Sequence, residues 1–266
     1  MLTSQSFFDL SDFPHHDLFT PADRVWQPLH DLKTYMDGYR YPKYDNVYIR
    51  NGVPLTEPII IHRGQTLCFN DLEIVYGNTT KGELQVKRAG MRLEGASVIM
   101  AGAVLLGEEI ALGQGVLVET GAMIKSPAII GDMSEIRQGA YLRGYCLAGK
   151  RCVLGHATEI KHSILLNDAK AGHFAYLGDS ILGNDVNLGA GTKLANLRFL
   201  PGNITIFSEG KYLDTSRRKL GAIMADGCQT GCNSVTSPGT LMAKGAVLMP
   251  NVTAKGGYHK ERSILR

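Results

Sequence analysis

A chain of 266 residues with a formal net charge of +3 and 20% charged side chains is long enough to bury a sizeable core. It lacks the dense Lys/Arg run that a nucleic-acid partner demands. Five cysteines, an odd number in a long chain, argue against a disulfide framework and predict reduced thiols in a cytoplasm. The opening residues carry Asp9, Asp12 and Asp17 beside His15 and His16, with neither a basic flank nor an apolar run, so neither a signal peptide nor a membrane span is expected.

In chain order, Thr20-Pro21-Ala22-Asp23 carries a cap residue, Pro at the first position and an acid in the first turn, which predicts a helix start. Pro28 breaks or restarts that helix, which then extends to about Asp37. Residues 46–76 read as short strands, with turns at Asn51-Gly52 and Asn70-Asp71. The region 1–87 is too small for a nucleotide-binding domain and has no glycine-rich phosphate loop after a strand. It is expected to be a small α+β cap over the open edge of the repeat domain that begins at 88, with a contact to substrate or to a partner as the alternative.

That domain announces itself by its period. Aliphatic or small residues recur every six positions at Met100, Leu106, Leu112, Val118, Ile124, Ile130, Ile136, Leu142, Ala148, Leu154, Ile160 and Leu166. The phase slips by one at Ala171 and again at Leu182, continues through Leu188 and Leu194, and returns at Met224, Thr230, Thr236, Met242 and Leu248. A period of six fits neither an α-helix nor a half-buried strand. It fits a triangular coil in which each hexad forms one short strand with its aliphatic residue inward. Three hexads close a coil, so residues three hexads apart stack. The 31 glycines suit the many tight corners this requires. The expected fold is an all-β, left-handed parallel β-helix over 88–254, continuous from about 88 to 196. A β-hairpin insertion is expected at about 197–222, and a basic C-terminal tail at 255–266. The Arg217-Arg218-Lys219 cluster after the hairpin reads either as a solvated face or as a contact for an anionic ligand.

Polar groups appear where the phase slips, in the run from Lys170 to Asp179 (KAGHFAYLGD), from Asn187 to Thr192 (NLGAGT) and at Ala195-Asn196. Such breaks in local consistency mark functional sites. These motifs resemble the C-terminal acetyltransferase domain of the bacterial bifunctional N-acetylglucosamine-1-phosphate uridyltransferases. The hairpin and the segment Asp214–Gly221 are more similar to sugar-phosphate nucleotidyltransferases that carry the same domain. The resemblance covers about 88–250 and is densest over 135–196. It implies His173 as catalytic base, Arg143 and Lys161 as ligands of a sugar phosphate, and Tyr176 and Asn187 as sugar contacts. Ala190 lies at the acetyl-transfer centre on the coenzyme side, and Asn196 completes the site. Cys232, with Met249 and Pro250, stands where the family's coenzyme side has small residues, and Lys255, Lys260 and Arg262 are candidates for coenzyme phosphates.

The chemistry suits these residue types independently. An amine that attacks a thioester must lose a proton, and histidine accepts one near neutral pH. The tetrahedral oxyanion needs a fixed donor, which a backbone N–H at a Gly-Ala-Gly corner supplies. Arg143 and Lys161, three hexads apart, fall on stacked coils and form a clamp for a phosphate. Glu159 is placed to orient His173. Without the motif, Arg143 and Lys161 are also compatible with a solvated face, Tyr176 with packing, and Asn187 and Asn196 with corner-stabilising ladders.

The expected activity is transfer of acetyl from acetyl-CoA to the amine of glucosamine-1-phosphate, within UDP-N-acetylglucosamine biosynthesis, by a homotrimer whose site lies between subunits. The family's uridyltransferase domain is missing from the sequence, so a separate uridyltransferase is an expected partner. Galactosamine-1-phosphate or another amino sugar is the alternative acceptor, and a non-catalytic scaffold or regulatory partner of a nucleotidyltransferase is the alternative class. No metal is expected: Cys228 and Cys232 lack ligand-spaced company, and His156 and His162, one hexad apart, fall on different faces.

Overall fold

A computed structural model describes residues 2–20, 23–44 and 48–266. Three parallel sheets form the sides of a β-solenoid of about nine turns. We call them face A (from Ser97–Ile99 to Ile264–Leu265), face B (from Val104–Leu106 to Thr253–Ala254) and face C (from Ile110–Leu112 to Gly257–His259). The chain visits them in that order in every coil. The register confirms the stacking rule: Tyr141 pairs with Glu159 and Cys146 with Ala128, in each case three hexads apart. Inward residues such as Ile124, Leu142, Leu154, Ile160 and Leu177 are fully buried and line the bore.

The corner between faces A and B carries a column of left-handed residues. Gly102, Gly121, Gly139 and Gly191 belong to it, but Ala157 and Phe174 occupy the same column (φ 46° and 52°). A bulky residue with positive φ pays steric strain that glycine avoids. Phe174 is in addition 62% exposed.

Both phase slips lie at the corner between faces B and C. Lys161 and Ser163 are separated by His162 alone, and Gly178 and Ser180 by Asp179 alone. The paired strands are therefore offset by one residue less than three hexads, as in Cys146 with Ser163 and Ile164 with Ile181. This moves the first slip forward from the position expected at Ala171, whereas the second falls in the interval that ends at Leu182, as expected. Leu165 and Leu166 are both apolar and both buried, so the six-residue count runs on past the first slip.

The parallel ladder begins at Ser97, not 88. Residues Leu72–Val75, Gln85–Arg88 and Met91–Arg92 form a separate antiparallel sheet, whose Leu72 and Val86 pack with Val98 and Leu117 over the start of face A. Strand Ile59–His62 pairs antiparallel with Ser97–Ile99 and with Gln65–Cys68, covering the first coil's edge. The expected tail at 255–266 is instead part of the last coil: Gly257–His259 pairs with Thr240–Met242, and Ile264–Leu265 with Val247–Leu248. Its basic residues obscure a rhythm that the backbone still follows. The hairpin is present as Thr205–Ser208 paired with Lys211–Asp214.

The helical part of the N-terminal region runs along the side of the solenoid. Of the helix start expected at Thr20–Asp23, Pro21 and Ala22 lie outside the described residues, as do residues 46 and 47 of the expected strand region. Helix α1 spans Ser4–Phe7, and helix α2 spans Gln27–Asp37 with Pro28 in its first turn. Asp9 N–H donates to Asp226 at 2.7 Å, Lys150 Nζ to Asp12 at 2.8 Å and Leu112 N–H to the Tyr44 hydroxyl at 2.9 Å. Phe7, Phe13, Phe19, Leu29, Leu32 and Met36 are fully buried in the layer between. Face C strands Ala128–Ile130, Cys146–Ala148, Ser163–Leu165 and Ala222–Met224 are consequently buried at every position. On face B, by contrast, Tyr141–Arg143 alternates exposed, buried, exposed. Face C is thus covered within the chain and face A is covered at its start, while face B and the later coils of face A stay open. Among the described residues no helix is long and apolar enough to cross a membrane.

Candidate functional site

His173 ends strand Lys170–His173 at the corner between the two open surfaces, and it is exposed. The register stacks it on His156 one coil before, with ring centroids 5.4 Å apart and planes 23° from parallel. Among the described residues none hydrogen-bonds its ring. In the next coil the same column holds Ala190, because Ala171 pairs with Leu188 and Gly191 N–H donates to the His173 carbonyl at 2.9 Å. Cys232 is next, since Leu188 pairs with Thr230. His173, Ala190 and Cys232 therefore form one column at the edge of faces A and B. Cys232 is exposed there, whereas Cys228 is buried.

At the Gly-Ala-Gly corner, Gly189 N–H donates to Thr230 and Gly191 N–H to His173. Of the three corner amides, only that of Ala190 has no acceptor among the described residues. Asn187 sits three residues earlier, exposed on face A between Lys170 and Gln229. It does not share a face with the other predicted sugar contacts.

Arg143, Lys161 and Tyr176 are on face B. The pairing of Tyr141 and Leu142 with Glu159 and Ile160 puts Arg143 beside Lys161 on neighbouring strands, and Glu159 pairs with Tyr176. Both cations are already engaged. Arg143 Nη1 donates to Glu159 Oε1 at 2.6 Å, and Lys161 Nζ to Asp179 Oδ2 at 3.2 Å. The expected link from Glu159 to His173 is not formed: Glu159 is at the start of a face B strand, with its carboxylate turned to the guanidinium one coil away.

The most densely bonded group here has no role assigned by the sequence reading. Asp179, at the shortened corner between faces B and C, is 4% exposed. Its Oδ2 accepts from Asn196 Nδ2 at 2.6 Å as well as from Lys161. Its Oδ1 accepts from Arg217 Nη2 at 3.1 Å, and His162 Nδ1 lies 3.4 Å from the same oxygen. Burial pushes the Asp179 carboxyl up, but His162, Asn196 and Lys161 outweigh it and hold it at about 2. Asn196 also reaches the Tyr176 hydroxyl at 3.4 Å. A signal was available: two one-residue slips at one corner bring His162, Asp179 and Asn196 into a column.

Gly178 makes room for this arrangement. A Cβ there would meet Asn196 Nδ2 at 2.5 Å and the Tyr176 hydroxyl at 2.7 Å. Asn196 is held on Asp179 at 2.6 Å and cannot simply swing away, so Gly178→Ala is expected to cost about 1–3 kcal/mol in denaturant unfolding.

No family model matches the chain. Among curated proteins it is 37% identical over 111 residues to the bifunctional sugar-1-phosphate nucleotidylyltransferase/acetyltransferase of Sulfurisphaera tokodaii, covering 42% of this chain and 28% of that one. It is 32% identical over 127 residues to the bifunctional protein GlmU of Methanococcus vannielii (48% and 30%), and 38% identical over 100 residues to that of Methanocaldococcus jannaschii (38% and 24%). Its relatives are GlmU-type bifunctional proteins. The chain spans less than a third of the length of each of these three. A solved structure of Francisella novicida UDP-N-acetylglucosamine acyltransferase aligns over 59% of this chain and 58% of that one, at 16% identity and a TM-score of 0.26.

Proposed function

We propose that this chain is an acetyltransferase that moves acetyl from acetyl-CoA to the amine of an amino-sugar phosphate, with glucosamine-1-phosphate as the first acceptor. The observation that carries the reading is the column at the corner of faces A and B: an exposed imidazole succeeded one coil later by an amide, neither with a hydrogen-bond partner among the described residues. The relatives' names, GlmU and sugar-1-phosphate nucleotidylyltransferase/acetyltransferase, point the same way.

In the proposed reaction the acceptor nitrogen attacks the thioester carbon and its proton passes to a ring nitrogen of His173. The Ala190 N–H donates to the oxyanion. Collapse breaks the carbon–sulfur bond, and the departing thiolate takes the proton from the imidazolium, leaving the N-acetyl product and free coenzyme. Arg143 and Lys161 hold the acceptor phosphate, exchanging part of their contact with Glu159 and Asp179 for it. Asn187 and Cys232 face the open part of face A, where a second and third copy of the chain bring the sugar and coenzyme contacts together in a homotrimer. Exposed Phe174, strained at the same corner, supplies apolar surface for that contact.

The acceptor phosphate tests this assignment. Comparing glucosamine-1-phosphate with glucosamine, kcat/KM is expected to be at least about a hundredfold higher for the phosphorylated amine, as charge-assisted contacts to two cations imply. Equal turnover of the two amines would remove Arg143 and Lys161 from the acceptor site.

A further inference from the structure

Arg217 belongs to the cluster after the hairpin, yet it is neither solvated nor available to a ligand. Its side chain is 12% exposed and every nitrogen of the guanidinium donates within the protein. Nη2 donates to Asp179 Oδ1 at 3.1 Å, Nη1 to the Leu29 carbonyl in the first turn of α2 at 2.8 Å, and Nε to the Lys219 carbonyl at 3.0 Å. Beside it, His30 Nε2 lies 3.0 Å from the Thr215 carbonyl. Two consecutive residues of the N-terminal helix are therefore docked onto the segment leaving the hairpin, and that segment onto Asp179.

We propose that Arg217 is a positioning residue that ties α2 to Asp179 and so fixes the place and the net charge of Lys161 at the acceptor site. The inference rests on the reading of Lys161 as a phosphate ligand, and three observations lead to it. First, Asp179 divides its oxygens: Oδ1 takes Arg217, and Oδ2 takes Lys161 and Asn196. Second, the charges of Asp179, Lys161 and Arg217 sum to +1, and those of Arg143 and Glu159 to zero. With Arg217 in place Lys161 retains a cation's worth of attraction for a phosphate; without it Asp179 claims Lys161 wholly. Third, the planar fork of arginine spans a carboxylate and a helix carbonyl together, which the single ammonium of lysine does not do. The N-terminal segment is thereby part of the acceptor site's support.

The test compares wild type, Arg217→Met and Arg217→Lys by three readouts. The first is kcat and KM for glucosamine-1-phosphate and for acetyl-CoA. The second is the shift of the Lys161 ammonium after reductive 13C-methylation. The third is hydrogen exchange of the amides after Leu29. Arg217→Met is expected to raise the acceptor KM about tenfold or more, as for loss of a buried charge partner, with kcat and the acetyl-CoA KM within about threefold. It also moves the Lys161 signal and accelerates exchange in α2. Arg217→Lys should recover only part of the acceptor KM, because the charge returns while α2 stays loosened. Uniform loss of kcat and both KM values in step with stability would show a merely structural residue and overturn the proposal. An unmoved Lys161 signal in Arg217→Met would overturn it as well. Should wild type acetylate no amino-sugar phosphate, the functional reading fails, while the Lys161 shift and the exchange data still decide whether Arg217 sets the lysine's environment.

Discussion

His173→Ala is expected to lower kcat by about a hundredfold or more, the usual contribution of a positioned general base. The acceptor KM should change little, because the proposed phosphate contacts lie at the other end of the face B strands, beyond Tyr176. The side chain is exposed and, among the described residues, makes ring contacts with His156 and Phe174. Removing it should leave denaturant stability within about 0.5 kcal/mol, as for surface positions away from special features. Stability and activity are thus predicted to separate cleanly. A parallel fall in both would mean that the His156–His173 stack holds the corner together and that the base is elsewhere. Stopped-time thiol release at saturating acceptor, with urea unfolding on the same preparations, reads the two effects side by side.

The second large effect concerns stability. Asp179→Asn keeps the shape of the side chain but leaves Arg217 and Lys161 facing a neutral amide in a site that water scarcely reaches. Breaking a buried ion pair from one side costs about 3 kcal/mol or more. The pH dependence gives the sign. Asp179 is held at about 2 in the folded protein against an ordinary value of 3.8, so its ionisation favours the folded state. That contribution, about 2 kcal/mol, is fully present above pH 4 and is lost as the pH falls towards 2. The stability gap between wild type and Asp179→Asn should accordingly be widest at neutral pH and narrow below about pH 4. Urea midpoints at several pH values and one fixed protein concentration measure it. A gap that does not narrow in acid would show that Asp179 acts through shape and not through charge.

These two residues were unequally legible in the sequence. His173 sits inside a motif run, and its type suits the chemistry. Asp179 closes the same run, but its importance comes from Arg217, far along the chain beyond the hairpin, and from a helix near the start. No local pattern announces such a partnership. The solenoid itself was legible because one inward residue in six recurs whatever the corner contains. Its ends were not: strand Gln85–Arg88 mimics a hexad while pairing antiparallel, and the charged last coil hides its rhythm. The covering of face C had a signal that a single-face reading passes over. Ala128-Ile129-Ile130 and Cys146-Leu147-Ala148 offer no outward polar residue, the mark of a strand buried on both sides. The buried aromatic side chains of the covering segment, Phe7, Phe13 and Phe19, obey no period, because an irregular segment wrapped on a flat face has none to obey.

Acetyl transfer to an amino-sugar phosphate can be read from a single reaction. The purified chain is incubated with acetyl-CoA and glucosamine-1-phosphate, and free thiol and N-acetylated product are quantified together. Thiol release that depends on the acceptor and matches the N-acetyl product one for one is the result predicted. Absence of product from glucosamine-1-phosphate, galactosamine-1-phosphate and other amino-sugar phosphates alike would contradict acetyl transfer and favour a non-catalytic scaffold.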